Sequence, residues 1–172
     1  MRALRALREV ALPEGCIGAG AIRNTVWDLL YGSASPSEIA DVDVAYFDPG
    51  DLSRETEERF QRRLAQLQPD LPWEVINQAA VHLWHEKATG ERARPHASLD
   101  DALGSWPETA TAVAVRLDSD DRICVVAPLG LVDLFEGVVR RNAACVSPGV
   151  FEERVRSKRF AERWPRLRIV RA

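Results

Sequence analysis

No apolar run in this 172-residue chain approaches the ~18 residues that a membrane-spanning helix needs, so no membrane partner is expected. Met1 to Leu12 carries arginines but no continuous apolar stretch and no small-residue cleavage site. It reads as an amphipathic helix rather than a signal peptide. Cysteine is scarce: Cys16, Cys124 and Cys145 are odd in number and far apart, which fits neither a disulfide framework nor a zinc ribbon. Cys16 and Cys124 lie inside apolar runs and read as small buried hydrophobes, and a reducing cytoplasm is the simplest compartment. Internal repeats, low-complexity segments and a nucleophile-elbow motif are all missing.

What is there is an ordinary globular balance, 46% hydrophobic and 28% charged. A chain of this size should bury roughly two thirds of its unfolded surface. One domain over residues 1–172 is expected, with a basic helical segment from about 148. The net charge of −3 hides an asymmetry. Residues 1–139 hold 13 basic and 23 acidic side chains, whereas residues 140–172 hold 10 basic and 3 acidic. Phosphates or nucleic acid are natural partners for such a basic surface, and pairing with the acidic body is the alternative.

Periodicity predicts helices over Arg2 to Leu12, Ala21 to Tyr31, Arg54 to Leu67 and Gln78 to Trp84. It predicts strands at Cys16-Ile17, Asp41 to Phe47, Trp73 to Ile76, Ala112 to Leu117 and Ile123 to Val126. Residues 86–97 read as a loop and Ser98 to Leu103 as a capped helical turn. A helix is expected to start near Pro128, and a basic one to run from Pro148 to the stop at Trp164-Pro165. Alternating helices and strands with an inserted hairpin argue for an α/β (α+β) fold, a mixed β-sheet covered by helices.

Two features carry chemistry. Gly18-Ala19-Gly20 runs from a strand into a helix, where bare backbone N–H groups and the helix dipole favour an anion. The spacing is not the dinucleotide-binding fingerprint, since Arg23 stands where a third glycine belongs. Tight packing is the other reason for such a turn. Asp41 and Asp43 then lie two apart on a strand and project to one face, with Val42 and Val44 behind them. Two adjacent carboxylates repel unless a cation joins them, and hard oxygen ligands suit Mg²⁺.

Gly18 to Asp43 resembles the glycine turn and D-x-D strand of the DNA polymerase beta nucleotidyltransferase superfamily. Four segments resemble, more narrowly, a family of small bacterial nucleotidyltransferase-like proteins: 20–28, 41–48, 77–84 and 127–135. That family is similar to the head domain of tRNA CCA-adding enzymes. Two departures stand out: the turn is Gly-Ala-Gly where Gly-Gly or Gly-Ser is usual, and Gly32 to Ala40 lengthens the gap to Asp41.

The resemblance implies a nucleotidyltransferase in which Asp41 and Asp43 hold Mg²⁺, with Mn²⁺ as a substitute. It also implies a third carboxylate on a neighbouring strand, for which Glu74 is the candidate. Gly18, Gly20 and Arg23 would hold the phosphates of an NTP, Ala19 and Asn24 would belong to the same nucleotide-binding turn, and Asn77 and Gln78 are candidates to read the base or sugar. Arg23 has a rival role in a salt bridge to Asp28 or Asp48, and Asn77 and Gln78 as caps of the next helix. Asp133 either lines the pocket or caps a helix. His82 and His85 are three apart, a spacing that can bind a metal, but no cysteine or carboxylate completes an obvious zinc set in the sequence, and His82 reads as a packed or hydrogen-bonding residue near the site. The five tryptophans read as core. The acceptor is open between a nucleic acid end, a small molecule and a protein hydroxyl. A non-catalytic nucleotide sensor or regulatory partner is the alternative function.

Overall fold

Leu4, Leu7 and Val10 recur at helical spacing and bury one face of α1 (Arg2–Val10). A short β1 (Cys16–Gly18) leads into α2 (Ala19–Tyr31). Gly32, at φ 64°, closes α2 while the Ser33 N–H donates to the Asp28 carbonyl at 2.9 Å, so the last turn ends on a left-handed glycine cap. The chain then forms a parallel β–α–β unit from β2 (Val42–Tyr46), α3 (Arg54–Leu67) and β3 (Trp73–Asn77). After α4 (Val81–Thr89) and α5 (Leu99–Leu103) comes an antiparallel hairpin, β4 (Ala114–Leu117) and β5 (Ile123–Val126). The rest is α6 (Val132–Phe135), β6 (Val138–Arg140), α7 (Pro148–Lys158), α8 (Phe160–Arg163) and β7 (Arg168–Val170). The structure, a computed structural model, describes residues 1–33, 35–89 and 93–171, with the side chains of 86–89 left aside.

The main sheet has the order β3-β2-β1-β4-β5, and only β2 and β3 run parallel, so it is a mixed sheet flanked by helices. One face, with Ile17, Val42, Val44, Val75 and Val115, packs against α1 and α3. Strand alternation sends Cys16, Ala45 and Ala114 to the other face, under Leu99 and Leu103 of α5. A further core gathers around Trp27, which meets Phe160 and Trp164 edge-to-face at 5.8 and 5.1 Å and joins α2 to the C-terminal helices. Asp28 reinforces that junction by accepting from Ser37 N–H (2.6 Å), Ser37 Oγ (2.8 Å) and Trp164 Nε1 (2.9 Å). Among the described residues no helix is long and apolar enough to cross a membrane.

Several expectations need correction. The helix expected from Gln78 begins at Val81, because the Asn77 side-chain oxygen captures the Ala79 N–H and holds a turn there. It runs to Thr89, over part of the stretch read as a loop, while residues 90–92 of that stretch lie outside the described residues. The helix expected near Pro128 is only Val132–Phe135, since Gly130 at φ 77° breaks the preceding turn. The basic helix is interrupted at Arg159, whose φ of 53° separates α7 from α8. Strands β6 and β7, which pair in parallel as a separate small sheet, were not expected.

Candidate active site

The alternation of β2 decides the site. Val42 and Val44 are buried, so Asp43 points to the opposite face, beside Asp41 at the strand entrance. The parallel register sets Glu74 of β3 directly opposite Asp43. One oxygen from each of Asp41, Asp43 and Glu74 lies within 4.8 Å of the others. Asp41 and Asp43 are half-buried and Glu74 is exposed. Among the described residues no salt bridge reaches any of the three. Burial, then the charges of Asp41 and Glu74, push the Asp43 carboxyl up to about 6, while Lys158 and the Gly20 N–H pull it down. A hard divalent cation fits three converging carboxylates, because it neutralises their repulsion with the oxygen donors it prefers.

The glycine turn serves two purposes. A Cβ on Gly18 would lie 2.8 Å from the Trp106 ring and 3.0 Å from Ala114 Cβ, so Gly18 is required by packing. Ala19 takes φ 49° and its N–H donates to the Val113 carbonyl. Gly20 is the glycine that opens on the carboxylates: a Cβ there would sit 3.8 Å from Asp41 Oδ1.

Arg23 is 3% exposed. Its Nη1 donates to Thr111 Oγ1 (2.7 Å) and its Nη2 to Asn24 Oδ1 (2.9 Å), and the guanidinium lies 4.8 Å from the Phe160 ring centre. Asn24 therefore orients Arg23. Burial lowers the Arg23 pKa to about 10, against the supporting charge of Glu108. Neither expected salt bridge forms, because Asp28 is engaged by Ser37 and Trp164 and Asp48 by the Gly50 N–H.

Asn77 is fully buried, and its amide accepts from the Asp48 and Ala79 N–H groups and donates to the Asp48 and Asp51 carbonyls. It ties a loop to the end of β3, and those four bonds leave its amide nothing to offer a base or sugar. Gln78, also buried, reaches the wall of the cleft.

That cleft, about 380 Å³, is lined by the three carboxylates, Gly20, Arg23 and Gln78. Other liners are residues that carried no individual expectation of a role in the site. Trp106 lines it, and Trp84, read as core, is 48% exposed at its edge. His96 lines it from the segment before α5, with Nδ1 lacking a hydrogen-bond partner 3.6 Å from Asp101 Oδ2. Arg154 and Lys158 reach it from α7, and their spacing of four within the basic segment was the available signal. Asp133 is not among the lining residues; it accepts from Thr109 Oγ1 and from Arg140 Nε (2.8 Å). His82 has a buried Nδ1 without a partner.

A nucleotidyltransferase family model matches residues 5–169. An NMR structure described as a CCA-adding enzyme head domain superposes with a TM-score of 0.78 and 26% identity, covering 98% of this chain and 87% of that one. A CCA-adding enzyme in complex with CTP gives a TM-score of 0.56 at 17% identity, over 98% of this chain and 38% of that one. The Thermotoga maritima CCA-adding enzyme complexed with tRNA gives 0.55 at 19%, over 98% and 37%. These last two share the fold, and the chain spans well under half their length. No curated protein matches the chain. The family match runs nearly end to end, over a fold that turns its glycine turn and paired aspartates into one cleft, and this protein belongs to the nucleotidyltransferase family.

Proposed function

We propose that the cleft binds an NTP with a divalent metal ion and transfers its nucleoside monophosphate to a hydroxyl acceptor: the acceptor oxygen bonds to the α-phosphorus, the α–β phosphoanhydride bond breaks and pyrophosphate leaves. The observation that carries this reading is the convergence of Asp41, Asp43 and Glu74 beside the start of α2 in a single cleft. Asp41 and Asp43 would hold Mg²⁺, or Mn²⁺ in its place, and the ion would supply phosphoryl polarisation and charge neutralisation. Glu74, the most exposed of the three, would take the proton of the acceptor hydroxyl. The start of α2 would face the phosphates, where the positive end of the helix dipole favours an anion, and the buried Arg23 adds positive charge behind it. Trp84 and Trp106 give a base a surface to stack on, with Gln78 and His96 as polar neighbours.

Solved relatives are described with CTP and with tRNA. For this chain the acceptor class extends to any nucleic acid end, small molecule or protein hydroxyl. A sensor without turnover would be favoured by a missing third carboxylate, and Glu74 lies with the pair. The test is transfer of an α-labelled phosphate from each NTP to a panel of such acceptors. Asp43→Asn should abolish transfer, and Glu74→Gln should keep nucleotide binding while losing turnover. Undiminished transfer by Asp43→Asn would sink the assignment.

A further inference from the structure

The basic C-terminal segment enters the cleft at two points. Arg154 and Lys158 lie four residues apart on α7 and both line it. Arg154 is built in: its Nε donates to Glu108 Oε1 at 2.6 Å and its Nη2 to Oε2 at 3.3 Å. Glu108 is 1% exposed, and Arg154 is its salt-bridge partner. A carboxylate removed from water this completely is tolerated because it is paired, and the pairing fixes a side chain that is itself 30% exposed. Lys158 is exposed, and among the described residues it forms no salt bridge. Behind both stands Arg23, whose buried Nε has no hydrogen-bond partner.

The cleft therefore carries Asp41, Asp43 and Glu74 together with Arg23, Arg154 and Lys158, and among the described residues no salt bridge joins the two sets. Opposite charges that share a cleft without pairing suit a ligand carrying both signs, a metal ion with a chain of phosphates. We infer that Arg154 and Lys158 are the polyphosphate-binding residues of this cleft, with Glu108 the positioning residue that holds the Arg154 fork. The inference rests on the metal–nucleotide reading of the site, and it gives part of the basic segment a ligand.

Titration calorimetry of the full chain with Mn²⁺ alone, and with tripolyphosphate in saturating Mn²⁺, separates the two sets of charges. Lys158→Ala and Arg154→Lys should each weaken tripolyphosphate binding about tenfold or more. Lys158→Arg should recover most of that loss. Mn²⁺ alone should bind Lys158→Ala at least as tightly as wild type, since a repelling cation near Asp43 has been removed. Glu108→Gln should weaken tripolyphosphate binding while leaving Mn²⁺ binding unchanged, a split that simple loss of structure would not give. Tripolyphosphate binding unchanged in both Lys158→Ala and Arg154→Lys overturns the inference and leaves the metal site standing. A wild-type chain that binds no Mn²⁺, or binds it equally after Asp43→Asn, overturns the metal–nucleotide reading and this inference with it.

Discussion

Asp43 and Glu74 stand in register on adjacent parallel strands, and among the described residues neither forms a salt bridge. A sheet does not ordinarily set two carboxylates side by side, because like charges across strands destabilise it. Here Asp41 adds a third, and the arrangement costs stability that a bound cation would recover.

That cost has a pH signature. Burial and the neighbouring carboxylates raise the Asp43 pKa to about 6, so the native state holds this proton more tightly than the unfolded chain does. The resulting stabilisation is fully present below about pH 4 and is lost as the pH rises through about 6. Asp43→Asn cannot lose it. In metal-free buffer its stability relative to wild type should grow from pH 4 to pH 7, by roughly 1–2 kcal/mol after allowing for solvent screening. Urea unfolding of both proteins across that range checks the sign.

The same proton competes with a metal. Mn²⁺ affinity should fall as the pH drops below about 6, and binding near that pH should release a proton, measurable as a dependence of calorimetric heat on buffer ionisation enthalpy.

Arg154→Ala leaves Glu108 buried without its partner, and about 3 kcal/mol of stability should be lost. Arg154→Lys keeps a charge for Glu108 and should lose less, as urea unfolding midpoints would show.

Gly18→Ala forces a methyl group against the Trp106 ring, and overpacking of this kind should lower stability by about 1–3 kcal/mol. Because Trp106 lines the cleft, affinity for the nucleoside part of a ligand should fall as well. Titration with a nucleoside and with tripolyphosphate separates that loss from any effect on phosphate binding.

The sequence was most legible where one local rule governed the outcome. Val42 and Val44 alternate with Asp41 and Asp43, so strand geometry alone puts the carboxylates on one face. Helix α3 matches its expected limits, with Glu55 and Glu57 in its first turn. Legibility failed where tertiary contacts decided. Strands β6 and β7 have three residues each, too few for a period, and they pair across a long stretch of chain. Asn77 carries a side chain suited to a ligand, yet the Asp48–Asp51 loop consumes its amide. Trp84 and Trp106 look like core by composition, and only the placement of α4 and of the segment after α5 turns them toward the cleft. The basic segment was visible as charge, but its direction depends on Phe151, which packs α7 so that Arg154 and Lys158 face the carboxylates.

The most direct test of the metal–nucleotide cleft is thermal unfolding with each NTP, with and without Mg²⁺, in wild type and in the Asp41→Ala/Asp43→Ala double variant. A ligand at 100 times its Kd should stabilise the native state by about 2.7 kcal/mol. A rise in Tm that needs both Mg²⁺ and the two aspartates is the predicted result. No rise with any NTP, or a rise that persists in the double variant, would contradict it.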